Sequence, residues 1–340
     1  MTSNLDSRDP ATAAGILRLG NAFCESQVLL TAAELGVFSV LHENPATEQE
    51  LRARLGLSGR GLRDFLRLLV EFGLLGESGG RYHNRPAAEK FLVRGKQDYL
   101  GGLLQGLRAA IYPAWGGLAE TLRSGRPQSS GASFAAMLTD PAALDRYARQ
   151  MDGVLGVVGP LLVDAVDWSA CHEVLDVGGC RGGLMGRLIA ARPRLSGNVF
   201  DLPELEPLFH AHMAEIGLTG KVRFHAGDFF RDPLPPADVL ILGHVLHNWA
   251  GKDREMLVRK AFTAVNPGGV LLVHDRMLDD NLSRVDNLLA SLMMVLMTDE
   301  GCEYPVAELT GIARAAGFSG IHHQPLGDNE MLVFCHKPPS

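Results

Sequence analysis

The stretch VLDVGGCRGGLMGRLIA, residues 174–190, places an acid, Asp176, at the end of a short apolar run. Gly178, Gly179, Gly182 and Gly183 follow, interrupted by Cys180, and then Leu184, Leu188 and Ile189 recur at helical spacing. This predicts a strand, a tight turn and a helix start. Glycines in such a turn permit positive φ and close approach of a ligand, and the helix N-terminus presents unpaired N–H groups. Two more acids follow predicted strands: Asp201 in VFDLPE and Asp228 in FHAGDFF. Asp201 comes 25 positions after Asp176, near the spacing at which an acid accepts the hydroxyls of a ribose. An all-acidic rim disfavours phosphates and suits a neutral or cationic ligand with hydroxyls and amines to donate. The dinucleotide pattern G-x-G-x-x-G is not met, so the turn alone is also compatible with an α/β connection that binds nothing. Each acid taken singly, Asp228 above all, is compatible with a helix cap. Three acids at three successive strand ends are harder to assign to three caps.

The elements that position these residues are legible as texture. From about residue 12 to 165, segments such as ILRLGNAFCESQVLLTAAELGVFSVL carry apolar residues at three- and four-residue spacing, which predicts helices. From about residue 172, the runs EVLDV, GNVFD, KVRFH, ADVLIL and GGVLLVHD alternate with helical stretches, the pattern of a parallel sheet covered on both faces. IHHQP and EMLVFCHK, joined by LGDNE, are placed to pair as an antiparallel edge hairpin. The expected organisation is an all-helical domain over 1–165 and an α/β domain over 166–340. In a doubly wound sheet the ligand sits beyond the carboxyl ends of the strands, where the acids fall.

Composition bounds the function. The 340 residues carry 46% hydrophobic and 21% charged side chains, as in a soluble globular protein, and a formal net charge of −7. That charge disfavours a general role in coating nucleic acid, and no apolar run reaches the roughly 18 residues needed to span a bilayer. The N-terminus, MTSNLDSRDPATAAG, has no basic region followed by an apolar core, so no export is expected. The five cysteines form no C-x-x-C pair, which suits reduced thiols in a cytoplasm.

LDVGGCRGG, FDLPE, GDFFRDPLPPADVLILGHVLHNWA, and GCEYP followed by an apolar helix ending in AAGF together resemble the small-molecule O-methyltransferases that use S-adenosylmethionine. The resemblance covers nearly the whole chain. SQVLLTAAELGVFSVL is similar to that family's dimerising domain, in particular its acetylserotonin O-methyltransferase and bacterial natural-product branches. It implies a Rossmann-like catalytic domain, a winged-helix-like dimerisation domain, a homodimer and a role in secondary metabolism. It further implies that Asp176, Gly178 and Gly179 flank the methionine part of the cofactor, that Asp201 and Leu202 address the ribose, and that Asp228 and Phe229 address the adenine. His247 in HVLHNWA matches the catalytic histidine, a general base toward the hydroxyl of a small aromatic acceptor, and Asp275 and Glu303 match the acids that hold its ring. The helix NLLASLMMVLMTDE, with Leu289, Met293 and Met297 on one face, matches the helix that walls the acceptor; packing into the core is the alternative reading of that face.

The chain departs from the family pattern at several positions. Cys180 stands where a third glycine is usual, and Gly243 occupies the cofactor position at which plant members carry a lysine. His244 and Asn248 replace the usual neighbours in the HDW signature, and EYP replaces ERT. His244 precedes His247 by three residues and is a second candidate to contact the acceptor. Two histidines at that spacing with nearby acids also fit a metal site, but the resemblance implies no metal. Trp249 reads as packing, and His322 and His323 as surface residues. Methylation at nitrogen or carbon, or non-methylating chemistry with the same cofactor, is the enzymatic alternative.

A rival reading comes from residues 47–90, which predict helix, turn, helix and hairpin with Arg60, Arg63 and Arg67 on the second helix, the outline of a DNA-binding regulator. Eight Lys/Arg against six Asp/Glu leave that segment only +2, and Leu62, Phe65, Leu66 and Leu69 predict a largely buried helix. No nucleic-acid or membrane partner is therefore expected.

Overall fold

A computed structural model describes residues 12–96, 98–129, 131–278 and 284–339. Most of the opening segment read above for export signals, residues 1–11, lies outside them. The chain divides into two compact units, with the division between Arg108 and Ala109.

In the first unit a long helix, Ala13–Leu35, breaks at Gly36, whose φ of 75° ends it, and continues as Val37–Glu43. The helix Glu48–Arg54 opens with a capping box, Thr47 and Glu50 satisfying each other's backbone N–H. The helix Leu62–Glu71 and a two-stranded antiparallel hairpin, β1 (Leu75–Ser78) and β2 (Arg81–Asn84), follow. Leu62, Leu66 and Leu69 from that helix join Phe38, Leu41, Leu51 and Leu75 in one buried cluster. Ile16, Leu17, Leu19 and Phe23 on the long helix are instead 61%, 67%, 71% and 55% exposed.

The second unit is built on a seven-stranded sheet: β3 (Glu173–Val177), β4 (Ser196–Asp201), β5 (Val222–Ala226), β6 (Ala237–Gly243), β7 (Val265–Asp275), β8 (Ser319–Leu326) and β9 (Glu330–His336). Their order is β5-β4-β3-β6-β7-β9-β8, with β9 antiparallel to β7 and β8 antiparallel to β9. The expected parallel sheet and edge hairpin are both present. The order in which successive strands are added reverses between the parallel neighbours β3 and β6, so the crevice where an open α/β sheet binds its ligand opens at the carboxyl ends of these two strands. One face is covered by Leu257, Val258 and Ala261 of the helix Gly251–Ala264 and by Leu309 and Ala313 of Val306–Ala316. The other is covered by Leu184 and Leu188 of Gly183–Ala191, by Phe209 and Met213 of Glu206–Glu215, and by Val158 and Leu162 of Pro141–Ala165.

That last helix explains why the division is not at 165/166. Asp140 caps its N-terminus, accepting from Ala142 and Ala143 N–H, and its apolar face packs against the sheet unit. The change of texture near residue 165 marks where strands begin, whereas the unit boundary follows packing.

Candidate functional site

The glycine turn forms as expected, and the acids around it do different work. Gly178 has φ 77°, and a Cβ there would lie 2.8 Å from Val245 Cγ2; a Cβ on Gly179 would lie 2.7 Å from Asp176 Oδ2. At both positions a neighbouring side chain, Val245 or the acid itself, packs where a Cβ would stand. Asp176 is the penultimate residue of β3 and is buried, which pushes its carboxyl up to about 7, opposed by the nearby His274. Asp201 closes β4 and fastens the turn: Oδ2 accepts from Cys180 N at 2.7 Å and Oδ1 from Leu202 N at 2.7 Å. Burial nevertheless pushes Asp201 up to about 6, these two amides pulling the other way. Each oxygen keeps a lone pair for a ligand hydroxyl.

Cys180 resolves the question of the missing third glycine. It adopts φ 51° and buries its side chain with Leu144, Ala148 and Leu205, in an apolar cluster. An ion pair between Arg181 and Asp152 ties the turn to the helix Pro141–Ala165. Asp228 makes the local cap named above as its alternative: Oδ1 accepts from Phe230 N at 2.8 Å. Phe229, Phe230 and Trp249 pack edge to face, with ring centroids 4.6–5.9 Å apart, so Trp249 is a packing residue.

His247 sits in a short 3-10 turn, Leu246–Asn248, just beyond β6, and is 8% exposed. Its Nδ1 lies 2.8 Å from Glu303 Oε1 and 3.6 Å from Asp275 Oδ1. The structure therefore brings the expected three residues together, with Glu303 as the hydrogen-bond partner. Asp275 accepts instead from Tyr304 Oη at 2.5 Å, and its Oδ1 has no hydrogen-bond partner among the described residues. Burial lowers His247 to about 4 and raises Asp275 to about 7 and Glu303 to about 8. Their common cause is loss of water around charge. When Nδ1 donates its proton to Glu303, Nε2 carries the lone pair, the form a general base requires.

His244 reaches the neighbourhood by a different backbone route from the helical one expected. It stands in left-handed conformation, φ 53°, fixed by its N–H on His274 O at 3.0 Å and its carbonyl on Asn248 Nδ2 at 2.9 Å. For a residue with a Cβ that conformation costs about 1–2 kcal/mol. Its ring centroid lies 5.3 Å from that of His247, and its Nε2 lies 2.9 Å from Glu330 Oε1. Two sets, His244–His247–Asp275 and His244–His274–Glu330, hold possible metal-ligand atoms within 4.8 Å of one another. Hydrogen bonds to Glu303 and Glu330 account for these approaches without an ion.

In the helix Val285–Met297, Asn287, Ala290, Met294 and Leu296 are the buried residues, Met293 and Met297 are half-buried, and Leu289 is exposed. Around the helix Met293 and Met297 thus stand between the buried Leu296 and the buried Ala290, so that face is partly covered. Ser291 Oγ of the same helix accepts from Glu303 N at 3.3 Å, anchoring it beside the acid. His322 and His323 are exposed on β8, as expected. The sequence reading missed Arg254. Buried under Tyr304, with Cζ 4.4 Å from the ring centroid, it donates to Leu246 O and Cys302 O, each at 3.2 Å, and to Glu308 at 2.6 Å. Those two carbonyls immediately precede His247 and Glu303, so Arg254 clamps the backbones that carry both. The available signal was one arginine among the apolar positions of the helix Gly251–Ala264.

Comparison with known proteins gives a consistent picture. The model of the O-methyltransferase domain matches residues 115–319, and that of the O-methyltransferase dimerisation domain matches 17–94. The tetracenomycin polyketide synthesis 8-O-methyl transferase TcmO of Streptomyces glaucescens is 41% identical over 99% of this chain and 100% of its own. The N,N-dimethyltransferase OxyT of Streptomyces rimosus is 36% identical over 91% of each. The crystal structure of human N-acetylserotonin methyltransferase in complex with S-adenosylmethionine superposes with a TM-score of 0.89 at 29% identity, covering 99% of this chain and 100% of that one.

Proposed function

The chain belongs to the S-adenosylmethionine-dependent O-methyltransferases, and on that premise we propose that it methylates a hydroxyl of a small aromatic acceptor of the natural-product kind, with His247 as general base. The observation that carries the reading is the buried His247–Glu303 hydrogen bond at the carboxyl end of β6.

The crevice residues fit the cofactor. Asp176 and Asp201 are buried carboxylates pushed upward by desolvation, a cost that a ligand with a cationic centre and donor hydroxyls relieves. The glycines let Val245 and the Asp176 carboxylate pack directly on the turn, which brings that acid to the backbone a ligand would meet. Asp176 with the turn would hold its methionine part, Asp201 and Leu202 its ribose, and Phe229 with the Asp228 loop its adenine. When bound, S-adenosylmethionine supplies a methyl group on a positively charged sulfur, open to in-line displacement. The protein's share is to hold the acceptor in line with water excluded and to take its proton.

A phenol of pKa about 10 is only about 0.1% ionised at neutral pH, a deficit of roughly 4 kcal/mol. A positioned base contributes about 10²–10⁴-fold, or roughly 3–5 kcal/mol, so one histidine covers it. The acceptor proton moves to His247 Nε2, and the imidazolium that forms lies between Glu303 and Asp275, whose ionised forms stabilise it. Met293 and Met297 offer soft walls to an aromatic acceptor, and His244 stands beside the base.

A homodimer through the first unit accompanies this reading, since Leu17, Leu19 and Phe23, with Ile16 just before them, leave an apolar stretch of the long helix open where the match to the dimerisation model begins. No single helix among the described residues is long and apolar enough to cross a membrane. We place the enzyme in a reducing cytoplasm, where five unpaired thiols persist. The 36% identity to a named N,N-dimethyltransferase favours a second reading, methyl transfer to nitrogen.

Incubation of the purified protein with methyl-labelled cofactor and a panel of phenols, hydroxyquinones, indoles and amines separates the two. Label in a hydroxyl product that depends on His247 supports the proposal. Label only in amines overturns it in favour of the second reading.

A further inference from the structure

The chain passes from β5 to β6 through residues 227–236, and no helix forms in that segment. Parallel strands are ordinarily joined through a crossover helix, whose own hydrogen-bond ladder serves the backbone it carries. An irregular crossover has no such ladder, so its polar groups take partners from elsewhere. The turn at its start supplies some of them itself. Gly227 N–H donates to Asp201 O at 2.9 Å, Asp228 N–H to Asp232 Oδ2 at 2.8 Å, and Arg231 and Asp232 N–H to Asp228 O at 2.9 and 2.7 Å.

Two carbonyls of the turn are served from outside it. Lys260 Nζ donates to Phe229 O at 2.5 Å and to Asp232 O at 2.7 Å. Lys260 stands on the helix Gly251–Ala264, and Phe229 and Leu234 of the segment pack against the same apolar cluster that this helix fills. An ammonium with three donors can bridge carbonyls three residues apart, and here it pins the turn on both sides of Phe230 and Arg231. The turn begins on Asp201 O, the residue whose carboxylate fastens the glycine turn, and it carries the half-buried Phe229 ring, set edge to face against Trp249. Fixing this backbone therefore fixes where an aromatic face stands relative to the end of β4. A loop already ordered before the ligand arrives spares binding the cost of ordering it.

We propose that Lys260 is a positioning residue for the nucleoside end of the cofactor crevice: by holding the Phe229 and Asp232 carbonyls it fixes the loop that carries Phe229, and through that loop it sets the affinity for the adenosyl group of S-adenosylmethionine. The inference rests on the cofactor reading given above. It gives the irregular crossover a purpose for its fastening that packing alone does not supply.

Calorimetric titration of the full-length protein with S-adenosylhomocysteine tests it, with thermal melting to show that each variant is folded. Lys260→Met keeps the apolar stem and deletes the donors, and it is expected to weaken binding about 3–10-fold, the range for one net hydrogen bond. Lys260→Arg, which restores donors able to reach both carbonyls, is expected to return affinity to within about twofold of the wild type. In a Phe229→Leu background the methionine substitution is expected to add less than about twofold, because the ring through which Lys260 acts has gone. Lys260→Gln, too short to span both carbonyls, stands in if the methionine variant does not fold. Equal affinity of wild type and Lys260→Met overturns the proposal, whatever the melting temperature. A loss of the same size with and without the Phe229 ring also overturns it, since Lys260 would then act elsewhere, and so does a loss that arginine does not restore. Wild type that binds no S-adenosylhomocysteine overturns the cofactor reading itself, a result distinct from these.

Discussion

His247 Nδ1 and Glu303 Oε1 meet at 2.8 Å although 56 positions separate them in the chain. Nearly buried, the bond leaves the other ring nitrogen as the group able to accept a proton, and the chemistry proposed here depends on that asymmetry. His247→Ala is expected to lower turnover about 10²–10⁴-fold at neutral pH while leaving affinity for S-adenosylhomocysteine nearly intact. Steady-state kinetics and calorimetry on the same preparation check it. The loss should shrink as pH approaches the acceptor's own pKa, because an ionised phenolate needs no base. Full activity of the variant on an acceptor of pKa about 10 would remove His247 from the role.

Glu303 carries a pH signature. Burial raises it to about 8, so it is protonated below that pH and ionised above it. Only the ionised form accepts the Nδ1 proton strongly and stabilises the imidazolium. Turnover is therefore expected to rise with pH through about 8 in the wild type, beyond the rise due to acceptor ionisation, and Glu303→Gln should lack that increment. A pH profile from 6 to 9 on an acceptor of pKa about 10, whose own ionisation adds the same slope to both proteins, reads the difference; coincident profiles would place the limb elsewhere. Asp275→Asn should give a smaller defect than His247→Ala, since Asp275 lies 3.6 Å away and bonds to Tyr304.

Asp201→Ala should weaken S-adenosylhomocysteine binding by roughly 1.5–3 kcal/mol, the range for hydrogen bonds to a charged group. The same carboxylate fastens Cys180 and Leu202 N–H. The variant should therefore also expose amides around residues 178–182 to faster hydrogen exchange. Unchanged affinity with faster exchange would show that Asp201 serves the turn alone.

Arg254 joins the backbones preceding His247 and Glu303. Arg254→Met keeps the stem and deletes the donors, and about 2–3 kcal/mol of stability is expected to be lost, with turnover falling more than acceptor KM rises. Arg254→Lys should recover part of the stability and little of the turnover, since an ammonium cannot span two carbonyls and Glu308 as the planar fork does. Urea denaturation together with kinetics checks both; equal turnover in all three proteins would make the clamp purely structural.

Leu17→Glu combined with Leu19→Glu is expected to convert a dimer to a monomer by light scattering at micromolar concentration, because the exposed apolar stretch of the long helix would carry charge into the interface. A wild-type monomer, or an unaffected double variant, would contradict the dimer.

Sequence by itself determined the local elements and the chemical character of the crevice. Apolar runs of strand length, helical periodicity between them and an acid at the end of EVLD and VFD are short-range features, and the strands and the turn at Gly178 and Gly179 form where those features stand. The motifs around His247, Asp275 and Glu303 were legible as a resemblance. Tertiary structure decided what meets what. The helix Pro141–Ala165 joins the sheet unit because its apolar face finds its complement there, although its composition matches the helices before it. The Arg254 clamp reaches 48 positions to Cys302, and Glu330 reaches 86 to His244. Periodicity specifies which face of an element is apolar but carries no information about which loop will lie against it. Partners that come from strands adjacent in the sheet and remote in the chain are therefore fixed only when the sheet order is.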